Sequence, residues 1–172
     1  RINQAIMEII KSGLNEKYQM IWATGPKQYD IVKEELENHH KNINHIKNMK
    51  ILPYIYNMEE IMNIVDVIVA RSGAMTITEI ANLGKPSVLV PLPNVSHDHQ
   101  LYNAKVLQNI GAADIILDNE LTGEKLNTNI EKIVLDGHKC KDMGEKALTV
   151  ATDDVENKIY AQIIETIKER NK

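Results

Sequence analysis

Short runs of aliphatic residues, separated by segments with helical periodicity, constrain the fold of this chain more than any other feature. The stretches DVIVA (66–70), SVLVP (87–91) and ADIIL (113–117) are almost continuous Val, Ile, Leu and Ala. Strands that are buried on both faces of a parallel sheet have this composition, because helices cover each side of the sheet. The alternation therefore predicts an α/β protein with a Rossmann-like, doubly wound parallel sheet.

The alternation begins near the first residue and continues to residue 117. Aliphatic and β-branched runs predict strands at 18–25, 49–55, 66–70, 87–91 and 113–117. Apolar residues at helical spacing predict helices at 2–13, 27–40, 58–65, 74–84 and 99–111. After residue 118 only helical patterns occur, and the last covers about 153–168. The expected fold therefore carries a helical carboxyl-terminal tail.

The chain is expected to form a single domain over residues 1–172. Its length suits one core, and no repeat or low-complexity linker divides it. Doubly wound domains usually begin with a strand and a glycine-rich turn, whereas residue 1 here already belongs to a helix. We therefore expect a first strand to be missing from this sequence.

The amino-acid composition argues against several classes of protein. The formal net charge of −4 gives no general attraction for nucleic acid or an anionic membrane. The single cysteine, Cys140, excludes an internal disulfide and suits a reducing compartment. A reducing compartment leads us to expect a cytoplasmic protein, and no apolar run approaches the roughly 20 residues of a membrane span.

The first candidate site lies where the strand at 66–70 meets the next helix, in the sequence RSGAMTITE (71–79). Ligands of open parallel sheets bind outside the carboxyl ends of the strands. Gly73 is expected to let the backbone turn tightly, so that the helix start can face a bound phosphate. The phosphate would meet the backbone N–H groups of Ala74, Met75 and Thr76.

Glu79 lies within the next turn of that helix, where its carboxylate can accept hydrogen bonds from both hydroxyls of a ribose. Two structural interpretations compete with this one. Thr76 and Glu79 match a capping box, and Ser72-Gly73 can be a simple helix entry.

The second candidate site lies after the strand at 87–91, where His97, Asp98, His99 and Gln100 open the next helix. These side chains could bind sugar hydroxyls. Metal binding is disfavoured, because histidines two residues apart do not share a helical face and no third ligand is evident. A solvated helix cap is the structural alternative.

Both sites belong to one segment, RSGAMTITEIANLGKPSVLVPLPNVSHDHQLYNAKVLQNIGAA (71–113). This segment resembles the carboxyl-terminal domain of the MurG family, the GlcNAc transferases of peptidoglycan synthesis. RINQAI (1–6) is similar to the residues after the family's GGS-x-GA loop, and ILPYIYNMEEIM (51–62) is similar to its base-binding stretch. The resemblance covers nearly the whole chain. It implies the carboxyl-terminal, UDP-sugar-binding half of a GT-B glycosyltransferase.

The resemblance also implies a role for each matching residue. Ile55 would pair with uracil through its backbone, Met58 would line the same pocket, and Glu79 would bind the ribose. His99, at a position where some relatives carry Gln, would contact the GlcNAc hydroxyls together with Gln100. The remaining substrate-binding residues would surround the diphosphate: Ser72, Gly73, Ala74, Met75 and Thr76.

The GGS-x-GA loop and the amino-terminal acceptor domain of the family are not in this sequence. That domain carries the presumed general base and the membrane-facing patch, so the catalytic residues are not assigned and this chain alone is expected to be inactive. The intact enzyme would join UDP-GlcNAc to a lipid-linked muramoyl-pentapeptide with inversion. It would use no metal and no other cofactor, because the helix start stabilises the leaving diphosphate. It would lie peripherally on the inner face of the cell membrane.

Three alternatives stay open. A separate donor-binding subunit of a two-subunit GlcNAc transferase would begin with its own Met, first strand and glycine loop. Other GT-B enzymes, such as diacylglycerol glucosyltransferases, and UDP-GlcNAc 2-epimerases would differ around Gln100. A non-catalytic nucleotide-sensing module would need the fold but not Gly73, Glu79 and Gln100 together.

Overall fold

A computed structural model of the chain describes residues 1–39, 46, 48–93, 98–152, 160, 162–164 and 166–167. The described residues between 160 and 167 are helical. The elements before them are, in chain order, α1 (Ile2–Ser12), β1 (Met20–Ala23), α2 (Pro26–His39), β2 (Met49–Leu52), α3 (Met58–Ile64), β3 (Ile68–Ala70), α4 (Ala74–Asn82), β4 (Ser87–Leu89), α5 (His99–Asn109), β5 (Ala113–Ile115), a short 3₁₀ helix (Asp118–Glu120), α6 (Gly123–Val134) and α7 (Gly137–Leu148).

The predicted order of strands and helices is confirmed, and the differences lie at the ends of elements. The strand predicted at 49–55 ends at Leu52, because Pro53 has no N–H to continue the ladder. The first helix ends at Ser12, and Gly13 comes next with a φ of +98°, a conformation that favours glycine. Most of the helix predicted at 153–168 lies outside the described residues.

The strands pair in parallel, as predicted, but they form two sheets. β1 pairs with β2, with Trp22 opposite Ile51. β3, β4 and β5 form the second sheet, with β4 at its centre. Among the described residues no ladder joins β1 to β3, and a cavity separates these two strands.

Helices cover both faces of the three-stranded sheet, as a doubly wound fold requires. Successive side chains along a strand point to opposite faces of the sheet. β4 and the residue that follows it, Val90, show this alternation. Val88 and Val90 belong to one core with α1, α2 and α6. Leu89 belongs to a second core with α4 and α5. All three side chains are 0% exposed, so this strand is buried from both sides.

The helices after β5 complete the first of these cores. Thr122 caps α6 by accepting a hydrogen bond from the Lys125 N–H, and Asp136 caps α7 in the same way. The apolar face of α6 packs against α1 through Leu126 and Ile130. In the parts of the chain that the structure describes, no helix is long and apolar enough to cross a membrane.

Candidate functional site

The start of α4 presents unused backbone donors at the carboxyl end of β3. Gly73 is the N-cap, and the first intrahelical bond runs from the Ile77 N–H to the Gly73 carbonyl at 3.0 Å. The N–H groups of Ala74, Met75 and Thr76 therefore have no acceptor within the helix. Among the described residues no side chain caps this terminus, and Met75 is 77% exposed. The positive end of α4 is thus available to an anion.

The backbone conformation of Gly73 differs from the one expected from the sequence. Its φ of −63° and ψ of 152° are extended backbone that any residue adopts, so the expectation of a tight, glycine-dependent turn is wrong. A Cβ built at Gly73 would meet no heavy atom within 4 Å among the described residues. The glycine instead leaves the approach to the helix start open.

The capping-box interpretation of the same segment is also wrong. It requires Thr76 at the N-cap, whereas α4 begins at Ala74 and places Thr76 inside the first turn. Thr76 and Glu79 therefore lie on the helix itself, close to one face. Glu79 is exposed, and its carboxylate is available to a ligand.

Ser72 joins the two candidate sites. Its side chain is fully buried, and its hydroxyl donates to the Gln100 carbonyl at 2.7 Å. The Ser72 carbonyl accepts a hydrogen bond from the Asn103 side-chain amide at 3.1 Å. Two hydrogen bonds therefore fix the start of α5 beside the start of α4. The Ser72 side chain points into the protein, so any contact it has with a ligand is through its backbone.

The side chain of Gln100 makes a further hydrogen bond, in addition to the one that its backbone carbonyl accepts from Ser72. Its side-chain oxygen accepts a hydrogen bond from the Leu92 N–H at 3.0 Å, which leaves the amide nitrogen as the donor for a ligand. His99 is the first residue of α5 and is exposed. His97, considered with it as a sugar or metal ligand, lies outside the described residues. Among the described residues, no three His, Cys, Asp or Glu side chains are grouped to hold a metal.

Arg71 braces the carboxyl ends of the strands around these junctions, and sequence reasoning missed it. Its Nη1 donates to the carbonyls of Val90 and Pro91 at 3.1 and 3.3 Å. The same nitrogen lies 2.7 Å from Oδ1 of Asp118, a residue just after β5. Arg1 reaches the other oxygen of Asp118 at 3.2 Å. An Arg directly between a buried strand and Ser-Gly was the signal that could have indicated this bracing role.

Four of the predicted site residues line one cavity of about 810 Å³: Ile55, Met58, Thr76 and Glu79. Ile55 is buried, so its backbone position is fixed by packing, while Met58 is 43% exposed. Tyr54 and Tyr56 flank Ile55 and contact each other edge to face, with ring centroids 5.0 Å apart. Ser72, His99 and Gln100 do not line this cavity. The roles of all ten predicted residues stay predictions.

Comparison with known proteins adds an independent finding. The glycosyltransferase family 28 C-terminal domain matches residues 1–159. A UDP-N-acetylglucosamine--N-acetylmuramyl-(pentapeptide) pyrophosphoryl-undecaprenol N-acetylglucosamine transferase of Desulforamulus reducens is 41% identical over 148 residues, 86% of this chain and 40% of that protein. The transferase 2 of the same name in Bacillus thuringiensis strain Al Hakam is 37% identical over 167 residues, 97% of this chain and 45% of that protein.

A solved structure agrees with these relatives. The crystal structure of Acinetobacter baumannii MurG superposes with a TM-score of 0.81 at 27% identity, over 95% of this chain and 46% of that chain. The chain thus spans less than half the length of the relatives that it matches. Sequence and fold agree over most of its residues, and the chain belongs to the glycosyltransferase family 28 C-terminal domain family.

Proposed function

We propose that this chain is the UDP-GlcNAc-binding domain of a hexosyltransferase that converts lipid I to lipid II in peptidoglycan synthesis. The activity requires an acceptor domain beyond these residues. The relatives named above are N-acetylglucosamine transferases, which supports this choice of donor. The acceptor would be a lipid-linked muramoyl-pentapeptide, and the whole enzyme would be cytoplasmic and peripheral on the membrane.

One observation carries the proposal: the starts of α4 and α5 are tied side by side through Ser72 and Gln100. A nucleotide sugar has a diphosphate between its ribose and its hexose. A diphosphate at the start of α4 would therefore place the hexose towards the start of α5, beside Gln100. The ribose would lie near Glu79, which is one turn along α4 from the helix start.

The base would lie at the cavity that Ile55, Met58, Thr76 and Glu79 share. Because packing fixes Ile55, its backbone groups can present a constant hydrogen-bonding pattern to uracil. Base, ribose, diphosphate and sugar would then succeed one another along the carboxyl edge of the sheet, as ligands do in open α/β folds.

The same arrangement supplies part of the chemistry. Attack by an acceptor hydroxyl at the sugar's anomeric carbon displaces UDP, and negative charge develops on the diphosphate. The unpaired N–H groups and the dipole of α4 are oriented in advance to stabilise that charge. The general base would come from the acceptor domain, so this chain positions the donor and stabilises the leaving group.

Isothermal titration with UDP-GlcNAc, UDP-glucose and UDP tests the donor site. Glu79→Ala is expected to weaken binding of all three ligands by about 1–3 kcal/mol, because each carries the ribose. Gln100→Ala is expected to weaken the two sugar nucleotides and leave UDP nearly unchanged. Glu145→Ala and Gln108→Ala, at exposed positions on α7 and α5, serve as matched controls.

Each outcome has a distinct meaning. Equal losses for UDP and UDP-GlcNAc in Gln100→Ala would remove Gln100 from sugar recognition. Equal affinity for UDP-glucose and UDP-GlcNAc would favour another UDP-sugar enzyme of the same fold. Failure of every uridine ligand to bind, both to this chain and to a version extended at its amino terminus, would contradict the proposal.

A further inference from the structure

The orientation of the Gln100 side chain depends on one peptide group, the group that joins Pro91 to Leu92 (the 91–92 peptide). The Leu92 N–H donates to the Gln100 side-chain oxygen at 3.0 Å, which leaves the amide nitrogen as the free donor. Leu92 is 41% exposed, so packing of its own side chain holds it only weakly. Pro91 and Pro93 have no N–H, so they add no backbone donor to this segment. The position of the Gln100 amide therefore depends on what holds the 91–92 peptide.

Arg71 holds the other side of the 91–92 peptide. The Pro91 carbonyl, which accepts from Arg71 Nη1 at 3.3 Å, belongs to the same planar unit as the Leu92 N–H. The described residues contain no cis peptide bond, so this C=O and this N–H point in opposite directions. Arg71 and Gln100 therefore bind one rigid group from its two sides. A shift of the guanidinium would move the N–H that orients Gln100.

Asp118 fixes that guanidinium from a third segment of the chain, just after β5. Its Oδ1 lies 2.7 Å from the same Nη1, and its side chain is only 12% exposed. Nη1 has two hydrogens, and these serve the carbonyls of Val90 and Pro91. Among the described residues Asp118 Oδ1 accordingly makes no hydrogen bond, and it attracts Arg71 by charge. Without that charge, the described contacts of Arg71 Nη1 would be neutral carbonyls alone.

We propose that Asp118 is a positioning residue for the sugar end of the donor site. It acts through Arg71 and the 91–92 peptide. That peptide in turn sets the orientation in which Gln100 meets a sugar hydroxyl. The inference rests on the proposed function, because it takes Gln100 as the residue that contacts the hexose. Asp118 itself would not contact the ligand, so its effect should appear only where Gln100 acts.

Amide hydrogen exchange at Leu92, read by NMR in the whole chain, tests this connection without any ligand. Asp118→Asn keeps the shape of the side chain and removes its charge, and it should speed exchange at Leu92 by roughly three- to tenfold. Asp118→Glu, which keeps the carboxylate, should restore part of the protection. Arg1→Gln is the matched control, because it removes the other cation at Asp118 and leaves the Arg71 contact in place. Unchanged exchange at Leu92 in Asp118→Asn would overturn the proposal.

The affinities for UDP-GlcNAc and UDP, measured by isothermal titration, test the consequence for the sugar. Asp118→Asn is expected to weaken UDP-GlcNAc binding by roughly three- to tenfold and to change UDP binding by less than about twofold. The lost charge itself cannot cause such a loss, because removal of a carboxylate strengthens the attraction for both anionic ligands. In a Gln100→Ala background, Asp118→Asn should have no further effect on UDP-GlcNAc binding.

The outcomes separate this role of Asp118 from the proposed function. Equal weakening of UDP and UDP-GlcNAc in Asp118→Asn would show a general effect on the fold and overturn the positioning role. An undiminished loss in the Gln100→Ala background would overturn it too, because the effect would then bypass Gln100. A wild-type chain that binds no uridine ligand would contradict the proposed function and with it the role at the sugar. Unchanged exchange at Leu92 in a chain that binds UDP-GlcNAc would overturn the positioning role alone.

Discussion

β4, the central strand of the three-stranded sheet, contrasts with β1 and β2 of the other sheet in how completely its residues are buried. β4, with a neighbour on each edge and a helix layer on each face, is buried at every residue from Ser87 to Leu89. β1 and β2 contain intermediate and exposed positions, and only Trp22 is buried there. A parallel strand is buried on both faces where helices cover both sides of the sheet.

The contrast extends to the junctions at the strand ends. After β3, Ser72 is joined to the start of α5, and Arg71 is joined to three carbonyl or carboxylate oxygens. After β1, the Thr24 hydroxyl makes longer hydrogen bonds, of 3.2 and 3.4 Å, although the Thr24 carbonyl accepts one from the Asn3 side-chain amide at 2.8 Å. The junction with the buried hydroxyl bond and the Arg71 contacts is the one where we place the donor diphosphate and sugar. Binding sites of this kind require groups held in advance of the ligand.

The largest difference in stability is expected when one leucine in each sheet is shortened to alanine. Leu89→Ala in β4 is expected to lower the free energy of unfolding by about 3–5 kcal/mol, because its site is sealed on all sides. Leu52→Ala in β2 is expected to lower it by about 1–2 kcal/mol, because Leu52 is only partly buried. Urea unfolding followed by circular dichroism measures both. Equal losses would show that the two sheets are equally well packed.

A second pair of variants removes a buried hydroxyl from each junction. Ser72→Ala leaves the Gln100 carbonyl without its donor and should cost about 1–2 kcal/mol of stability. Thr24→Val should cost less than about 1 kcal/mol, because its hydrogen bonds are longer. Thermal unfolding compares the two proteins. A larger loss of stability for Thr24→Val than for Ser72→Ala would show that the junction after β1 depends more on its buried hydroxyl than the junction after β3 does, which contradicts the comparison.

The smallest effects on stability are expected at Asp118, whose carboxylate contacts both Arg71, just after β3, and Arg1, just before α1. Arg71 is 29% exposed and approaches Asp118 to 2.7 Å, whereas Arg1 is 58% exposed at 3.2 Å. Arg71→Gln should cost about 1 kcal/mol and Arg1→Gln below about 0.5 kcal/mol, since exposed pairs contribute little. Double-mutant cycles with Asp118→Asn separate the two couplings. A stronger coupling for Arg1 would contradict the bracing role of Arg71.

The sequence predicted the order of the elements because each strand and helix has a distinct apolar period. Gly13 also marked a helix end from local chemistry alone, whereas the strand predicted at 49–55 wrongly continued past Pro53. The division of the sheet between β1 and β3 was not predicted, since pairing between strands far apart in sequence leaves no local pattern.

The residues of the candidate site were predicted individually, but the hydrogen bonds and ion pair that connect them were not predicted. The spacing of Gly73 and Glu79 pointed to the helix start, and the motif indicated Gln100. The Ser72–Gln100 bond and the Arg71 bracing depend on tertiary contacts between segments 19 to 47 residues apart, which sequence spacing does not encode. The tight turn expected at Gly73 was wrong because its backbone is extended, a conformation that any residue adopts.

The most direct test of the donor site is hydrogen exchange of this chain with and without saturating UDP-GlcNAc, read at individual amides by NMR. We expect slower exchange at Ala74, Met75 and Thr76, whose N–H groups have no helical acceptor, and around Gln100. The matched junction after β1, at Gly25–Tyr29, should not change. Protection at Gly25–Tyr29 without protection at Ala74–Thr76 would place the ligand at the other half of the sheet and contradict the proposed donor site.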